Sequence, residues 1–208
     1  MNLYSQDFKT AATALCNAGR FIDSKGWIQA TSGNFSARLA DGTIAITTSG
    51  KHKGNLQVDD IMLIDADANS LDGKKPSAET GLHTSLYMRF PDVHAILHPH
   101  SINAILVSRL FGDEIVLEDY ELLKALHGIT THETRITLPI VANDQNIPRL
   151  SRVVDDYLDT LTADCYGYII AGHGLYTWGE SIPEALRHLE ALDYLFECEL
   201  RLHGVRKP

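Results

Sequence analysis

The chain has 208 residues, 44% hydrophobic and 22% charged, which are the proportions of a folded globular protein and not of a disordered segment or a coiled coil. Lys and Arg number 18 against 27 Asp and Glu, and the formal charge of −9 offers no long-range attraction to nucleic acid. No apolar run approaches the ~20 residues of a membrane span. MNLYSQDFKT has neither the basic nor the apolar region of a secretory signal, and Cys16, Cys165 and Cys198 are too few and too scattered for a disulfide framework, so the expected setting is a reducing cytoplasm.

Apolar groups at Phe8, Ala11, Ala12, Leu15, Ala18, Phe21 and Ile22 predict a helix over 7–25, with Ser5 as its N-cap and Gly26 as its stop. The period then changes. Segments 35–39 and 43–47 flank Ala40-Asp41-Gly42 as a hairpin, and 61–65 reads as a third strand. Helices are expected at about 77–90 and 102–110, with a short apolar strand, 94–98, between them. A further helix is expected from about Asp119 to before Gly128, and Asn146 with Pro148 opens another that runs to about Leu161. Strand 166–171 follows, and Ser181 and Pro183 open a long final helix. No repeat or linker divides the chain, so the expectation is one domain, 1–208. Strands joined by short turns favour a largely antiparallel sheet covered by helices over a doubly wound parallel one.

Chemistry gathers in a few places. His98 and His100 flank Pro99; two residues apart on an extended chain they project to one face, and the proline places them at a strand end, open to a cleft. His173 is the third candidate, since glycines on both sides allow a sharp turn that exposes its ring. Three histidines with an open fourth position form a catalytic metal arrangement. Glu79 and Glu121 are carboxylates that could join. Glu79 and His83, spaced i and i+4, form a competing ligand set, whereas His94 stands ~13 Å from His98 along a strand and is too far for one ion. His52, His127 and His132 have no assignment, and His188 and His203 fit solvation or packing on the final helix.

Two loops, 30–36 and 47–54, are rich in Gly, Ser and Thr and could cradle a phosphate through Ser32, Gly33, Asn34, Ser49, Gly50 and Lys51. Ser77, before a helix start, could add the helix dipole. No GxxxxGK[ST] occurs, so this is not a nucleotide loop. A bare HxH is a weak signal and each loop alone reads as an ordinary turn. Together they describe a metal site beside a phosphate site.

In this order, SGNFS, TTSGKHKG, KPSAET, HPHS, DYELLKA and GHGLYTWG resemble the motifs of the class II aldolase family, from about Phe8 to the last helix. KHKG, DYELLKA and RHLEALDYLFECEL are more similar to its dehydratase branch in methionine salvage than to its sugar-phosphate aldolases. The resemblance implies a three-layer α/β/α fold with a mixed, mostly antiparallel sheet. It also implies a homotetramer with active sites between subunits. It makes His98, His100 and His173 the ligands of one divalent ion, Zn2+ before nickel, iron or manganese, and Glu121 the acid/base. Glu79 falls where the aldolases carry their catalytic glutamate and some dehydratases a cysteine, and the two loops match the phosphate cradle. The implied activity is dehydration of a phosphorylated ketose, 5-methylthioribulose 1-phosphate, to 2,3-diketo-5-methylthiopentyl 1-phosphate. The alternative is a class II sugar-phosphate aldolase or epimerase using the same metal enediolate chemistry. A non-catalytic binding module of this fold would not need three histidines at the ligand positions.

Overall fold

The structure, a computed structural model, describes residues 4–161 and 164–206. Helix α1 (Gln6–Ser24) begins where the Ser5 hydroxyl accepts the N–H of Phe8 at 3.1 Å, satisfying one of the orphan donors of its first turn. Strands β1 (Asn34–Arg38), β2 (Ile44–Thr47) and β3 (Ile61–Ile64) form an antiparallel meander. Then come α2 (Thr80–Arg89), β4 (Ala95–His98), α3 (Ile102–Leu110), β5 (Glu114–Glu118) and β6 (Arg135–Val141). Helix α4 (Ile147–Thr160) is capped by Asn146, β7 (Gly167–Ile170) and β8 (Gly174–Gly179) form a hairpin, and α5 (Ile182–Arg206) closes the fold.

The eight strands lie in one sheet in the order β3-β2-β1-β4-β8-β7-β6-β5, and only β6 and β7 pair in parallel. Side chains alternate between its two faces with a period of two. Phe35, Ala45, Leu63, Leu97 and Leu175 pack with α1, α3 and α5 through Leu15, Val107, Leu189 and Phe196. Ile46, Met62, Ile96, Ile170 and Trp178 pack on the other face with α2 and α4 through Leu86 and Val154. Each fully enclosed aliphatic or aromatic side chain contributes about 1.5–3 kcal/mol of burial. Both faces are therefore apolar layers, and the architecture is the expected three-layer α/β/α with a mixed, mostly antiparallel sheet. No helix among the described residues is long and apolar enough to cross a membrane.

Two departures from the sequence expectations have physical causes. The helix expected after Asp119 is a short 3-10 turn, Glu121–Ala125, preceded by Asp119 in a left-handed conformation (φ 61°). Three strands stand where none was set apart. In β5 only Ile115 and Leu117 are fully enclosed, β6 contains Pro139, and β8 has a glycine at each end.

Antiparallel pairing brings the start of β1, the end of β4 and the start of β8 to the same end of the sheet. Asn34 is opposite His98, and Ile170 is opposite Gly174 across the β7–β8 turn.

Candidate active site

His98 continues the inward parity of Ile96 at the end of β4 and has no exposed surface. Its ring stacks on Tyr176 (centroids 4.0 Å apart, planes at 14°), and its Nδ1 lies 3.0 Å from the carbonyl of Leu175. A carbonyl only accepts, so Nδ1 holds the hydrogen and the Nε2 lone pair faces the cleft. Past Pro99, the backbone of His100 donates to Trp27 and turns its imidazole to the same side. His173 comes from the β7–β8 turn, where Gly172 takes a φ of 66°. Gly174 is required for the close approach: a Cβ there would stand 2.4 Å from the carbonyl oxygen of Pro99 and 3.0 Å from the His98 ring.

The Nε2 of His98 lies 3.0 Å from that of His100 and 3.3 Å from that of His173. One ligand nitrogen from each of the three lies within 4.8 Å of the others. Burial, then the neighbouring His100 and His173, hold His98 well below the usual histidine range. Burial, then His173 and Lys53, push His100 down to about 4. Both rings are thus neutral at neutral pH, and a neutral imidazole has one bare nitrogen that can face an ion. Zn–N bonds of ~2.0–2.1 Å in a tetrahedron set nitrogens ~3.3 Å apart, so this donor set fits a divalent ion such as zinc.

Glu79 immediately precedes α2 and turns its carboxylate to the same cluster. Oε1 is 3.1 Å from His173 Nε2 and Oε2 is 3.5 Å from His98 Nε2, while Asn34 Nδ2 donates to Oε2 at 2.7 Å. His83, the other half of the competing pair, does not face the cluster. It is fully enclosed and turned to Ser36 and Asn34.

Beside the imidazoles lies a cleft of about 270 Å³. Ser32, Gly33 and Asn34 line it from one loop, Ser49 and Gly50 from the other, and Ser77 and Glu79 from the approach to α2. Lys51 is not on its wall: its exposed side chain turns away and pairs through Nζ with Asp60 at 2.9 Å. The cation that does line the cleft is Lys53, which sequence reasoning passed over. It is buried, and its Nζ donates to the carbonyls of Thr31 and Lys51, both at 2.8 Å, tying one loop to the other. Burial pushes its ammonium down to about 8, against the opposing pull of Glu79.

Glu121 is not brought to this cleft within the chain. Its side chain is 72% exposed, pairs with Lys124, and borders a separate groove of about 710 Å³ with Leu122 and, from α5, Arg187 and Tyr194. The Lys124 hydrogen bond holds its carboxyl below the usual range. Another hollow, of about 590 Å³, is lined by Arg89, His127, Cys165 and Glu184 and contains none of the expected site residues.

A sheet between helix layers carries, at one strand end, three convergent imidazoles that could hold a metal ion and a glycine-rich cleft beside them. The profile of the Class II Aldolase and Adducin N-terminal domain matches residues 13–200, and the chain belongs to that family. It is 59% identical over 205 residues to a methylthioribulose-1-phosphate dehydratase of Methylococcus capsulatus, covering 99% of this chain and 100% of the relative. It is 52% identical over 193 residues to the dehydratase of that name from Pseudomonas savastanoi pv. phaseolicola, covering 92% and 94%. Among solved structures, YgbL from Klebsiella pneumoniae superposes with a TM-score of 0.82 at 22% identity, covering 98% of this chain and 94% of that one. L-fuculose-1-phosphate aldolase from Thermus thermophilus gives 0.74 at 24%, covering 95% and 97%. At those identities the two structures speak for the fold alone.

Proposed function

We infer that the chain is a hydro-lyase that dehydrates 5-methylthioribulose 1-phosphate to 2,3-diketo-5-methylthiopentyl 1-phosphate in methionine salvage. The observation that carries this is the 59% identity to the Methylococcus dehydratase, which spans that relative from end to end. His98, His100 and His173 are the residues that would hold the ion, and zinc is our choice for three neutral imidazoles. When bound, a divalent ion supplies polarisation of the C2 carbonyl, which makes the hydrogen on C3 acidic.

The rest falls to the protein. Backbone amides and hydroxyls of Ser32, Gly33, Asn34, Ser49 and Gly50, with Ser77 and the ammonium of Lys53, receive the phosphate. Binding at that end fixes the position of C3 and C4 at the other. Glu79, held by Asn34, orients the substrate against the cluster. Glu121 is the proton shuttle. It takes the proton from C3 and protonates the C4 hydroxyl, which leaves as water; the resulting enol relaxes to the diketone. Since Glu121 stands off from the cleft of its own chain, we propose that it serves the cleft of a neighbouring copy in a homotetramer. The 208 residues act as one domain, and the setting is the cytoplasm.

The test is turnover of methylthioribulose 1-phosphate by zinc-reconstituted protein, read by product mass. A product lighter by one water supports the reading. Cleavage into two fragments would place the chain with the aldolases, a reading favoured by the position of Glu79 at the cluster.

A further inference from the structure

We propose that His83 is a positioning residue: it forms the centre of a one-directional hydrogen-bond chain, Tyr87–Ser36–His83–Asn34–Glu79, which fixes the Glu79 carboxylate against the three-histidine cluster. The proposal rests on the metal-site reading above, and its direction follows from chemistry at each link. A carboxylate only accepts, so the Asn34 amide group must face Glu79, and Asn34 Oδ1 is left to face His83 Nε2. An amide oxygen also only accepts, so Nε2 of His83 carries the ring hydrogen and Nδ1 is bare. Ser36 Oγ, 2.7 Å from that Nδ1, therefore donates to it, and can only accept from the Tyr87 hydroxyl 2.8 Å away. Each of these links has one possible direction.

Asn34, Ser36, His83 and Tyr87 are all buried, at most 4% exposed, and lie between β1 and α2 where apolar groups fill the rest of the layer. Polar groups in such a place are costly unless every one is paired, and here the chain of pairings ends at the half-open cleft, on Glu79. If His83 took the other tautomer, Nε2 would need a donor. Asn34 would then rotate its amide and turn its oxygen on the carboxylate, pushing Glu79 away from the cluster.

Two variants that remove the same ring separate positioning from packing. His83→Gln retains a donor near the place of Nε2; His83→Asn can replace the acceptor at Nδ1, but its shorter amide does not reach the place of Nε2. In zinc-loaded protein we expect kcat to fall about 10- to 100-fold in His83→Asn. His83→Gln should recover most of that loss, with metal content and KM close to those of the parent in both. Equal kcat in the two variants, or a loss that follows metal content, would overturn the proposal. Nitrogen NMR of 15N-histidine-labelled parent protein gives a readout free of activity. A His83 ring protonated at Nε2 supports the chain, and one protonated at Nδ1 breaks it. A parent that does not turn over methylthioribulose 1-phosphate would sink the functional reading alone, since the NMR result stands apart from turnover.

Discussion

At the scale of single residues, the proposed site divides into groups that would hold the ion and groups that would hold the anion, and each division has its own measurement. Removing His98, His100 or His173 as alanine leaves two imidazoles, so bound zinc and activity should disappear together; stoichiometric zinc in His173→Ala protein would remove that residue from the ligand set. Lys53→Met deletes the ammonium that bridges the Thr31 and Lys51 carbonyls. A hydrogen bond to a charged group contributes ~1.5–3 kcal/mol, so KM for the phosphorylated substrate should rise about 10- to 100-fold with metal retained. In the parent, KM should rise as pH climbs through about 8, where Lys53 loses its charge, and this dependence should vanish in the variant. His83 gives a stability prediction. Burial pushes it down to about 3, whereas an unfolded histidine titrates near 6.5. Below 6.5 the unfolded chain binds a proton that the folded chain refuses, so the stability that comes with a neutral His83 is complete above 6.5 and is lost as pH falls, by ~1.4 kcal/mol per unit. Tm should therefore drop less steeply between about pH 6.5 and 5 in His83→Gln than in the parent; parallel curves would contradict a neutral buried ring. Of these residues, the three histidines were legible because HxH spacing and flanking glycines carry geometric meaning in a sequence. Lys53 was not, because KHK offers two lysines in one loop and only the fold decides which one turns inward.

At the scale of elements, glycine separates the two loops that the sequence grouped together. A Cβ on Gly33 would stand 2.5 Å from the carbonyl oxygen of His98, whereas one on Gly50 meets nothing within 4 Å. Gly33→Ala should therefore disturb the β1–β4 pairing that carries His98 and reduce bound zinc. Gly50→Ala, strained only by its φ of 76°, should keep zinc and raise KM. Zinc content measured on the two proteins decides it, and equal content would show that the β1–β4 junction yields without cost. Elements with caps or strong periodicity were legible: Ser5 and Asn146 cap the helices they were expected to cap, and α3 falls on 102–110 as expected. The missed strands lack such a signal. Pro139 cannot donate to a ladder and argues against a strand in β6, although it sits in register opposite Glu114 of the edge strand. The glycines of β8 suggest a turn, yet Gly174 is there because β8 must start against the histidine-bearing end of β4. Tertiary contact, which a local pattern does not contain, explains both.

At the scale of the whole molecule, Glu121 decides whether the site belongs to one chain or to two. Its carboxylate is exposed and ionised, held low by Lys124, while an acid/base group needs a pKa nearer neutrality. Burial against another copy would raise it. The surface beside it suits such cover, since Leu122 and Tyr194 are exposed apolar side chains on the same groove. Glu121→Gln alone should lower kcat by ~10²–10⁴-fold with zinc retained. His173→Ala alone should be inactive for lack of the ion. The first variant still has an intact histidine cluster, and the second still has Glu121. If the glutamate crosses between copies, oligomers reassembled from equal amounts of the two contain sites that combine a sound cluster from one chain with a sound Glu121 from its neighbour. Random mixing makes such sites roughly a quarter of the total, so roughly a quarter of parent activity should return. A mixture as inactive as its components would place the shuttle within a single chain and leave Glu79, already at the cluster, as the carboxylate that moves the proton.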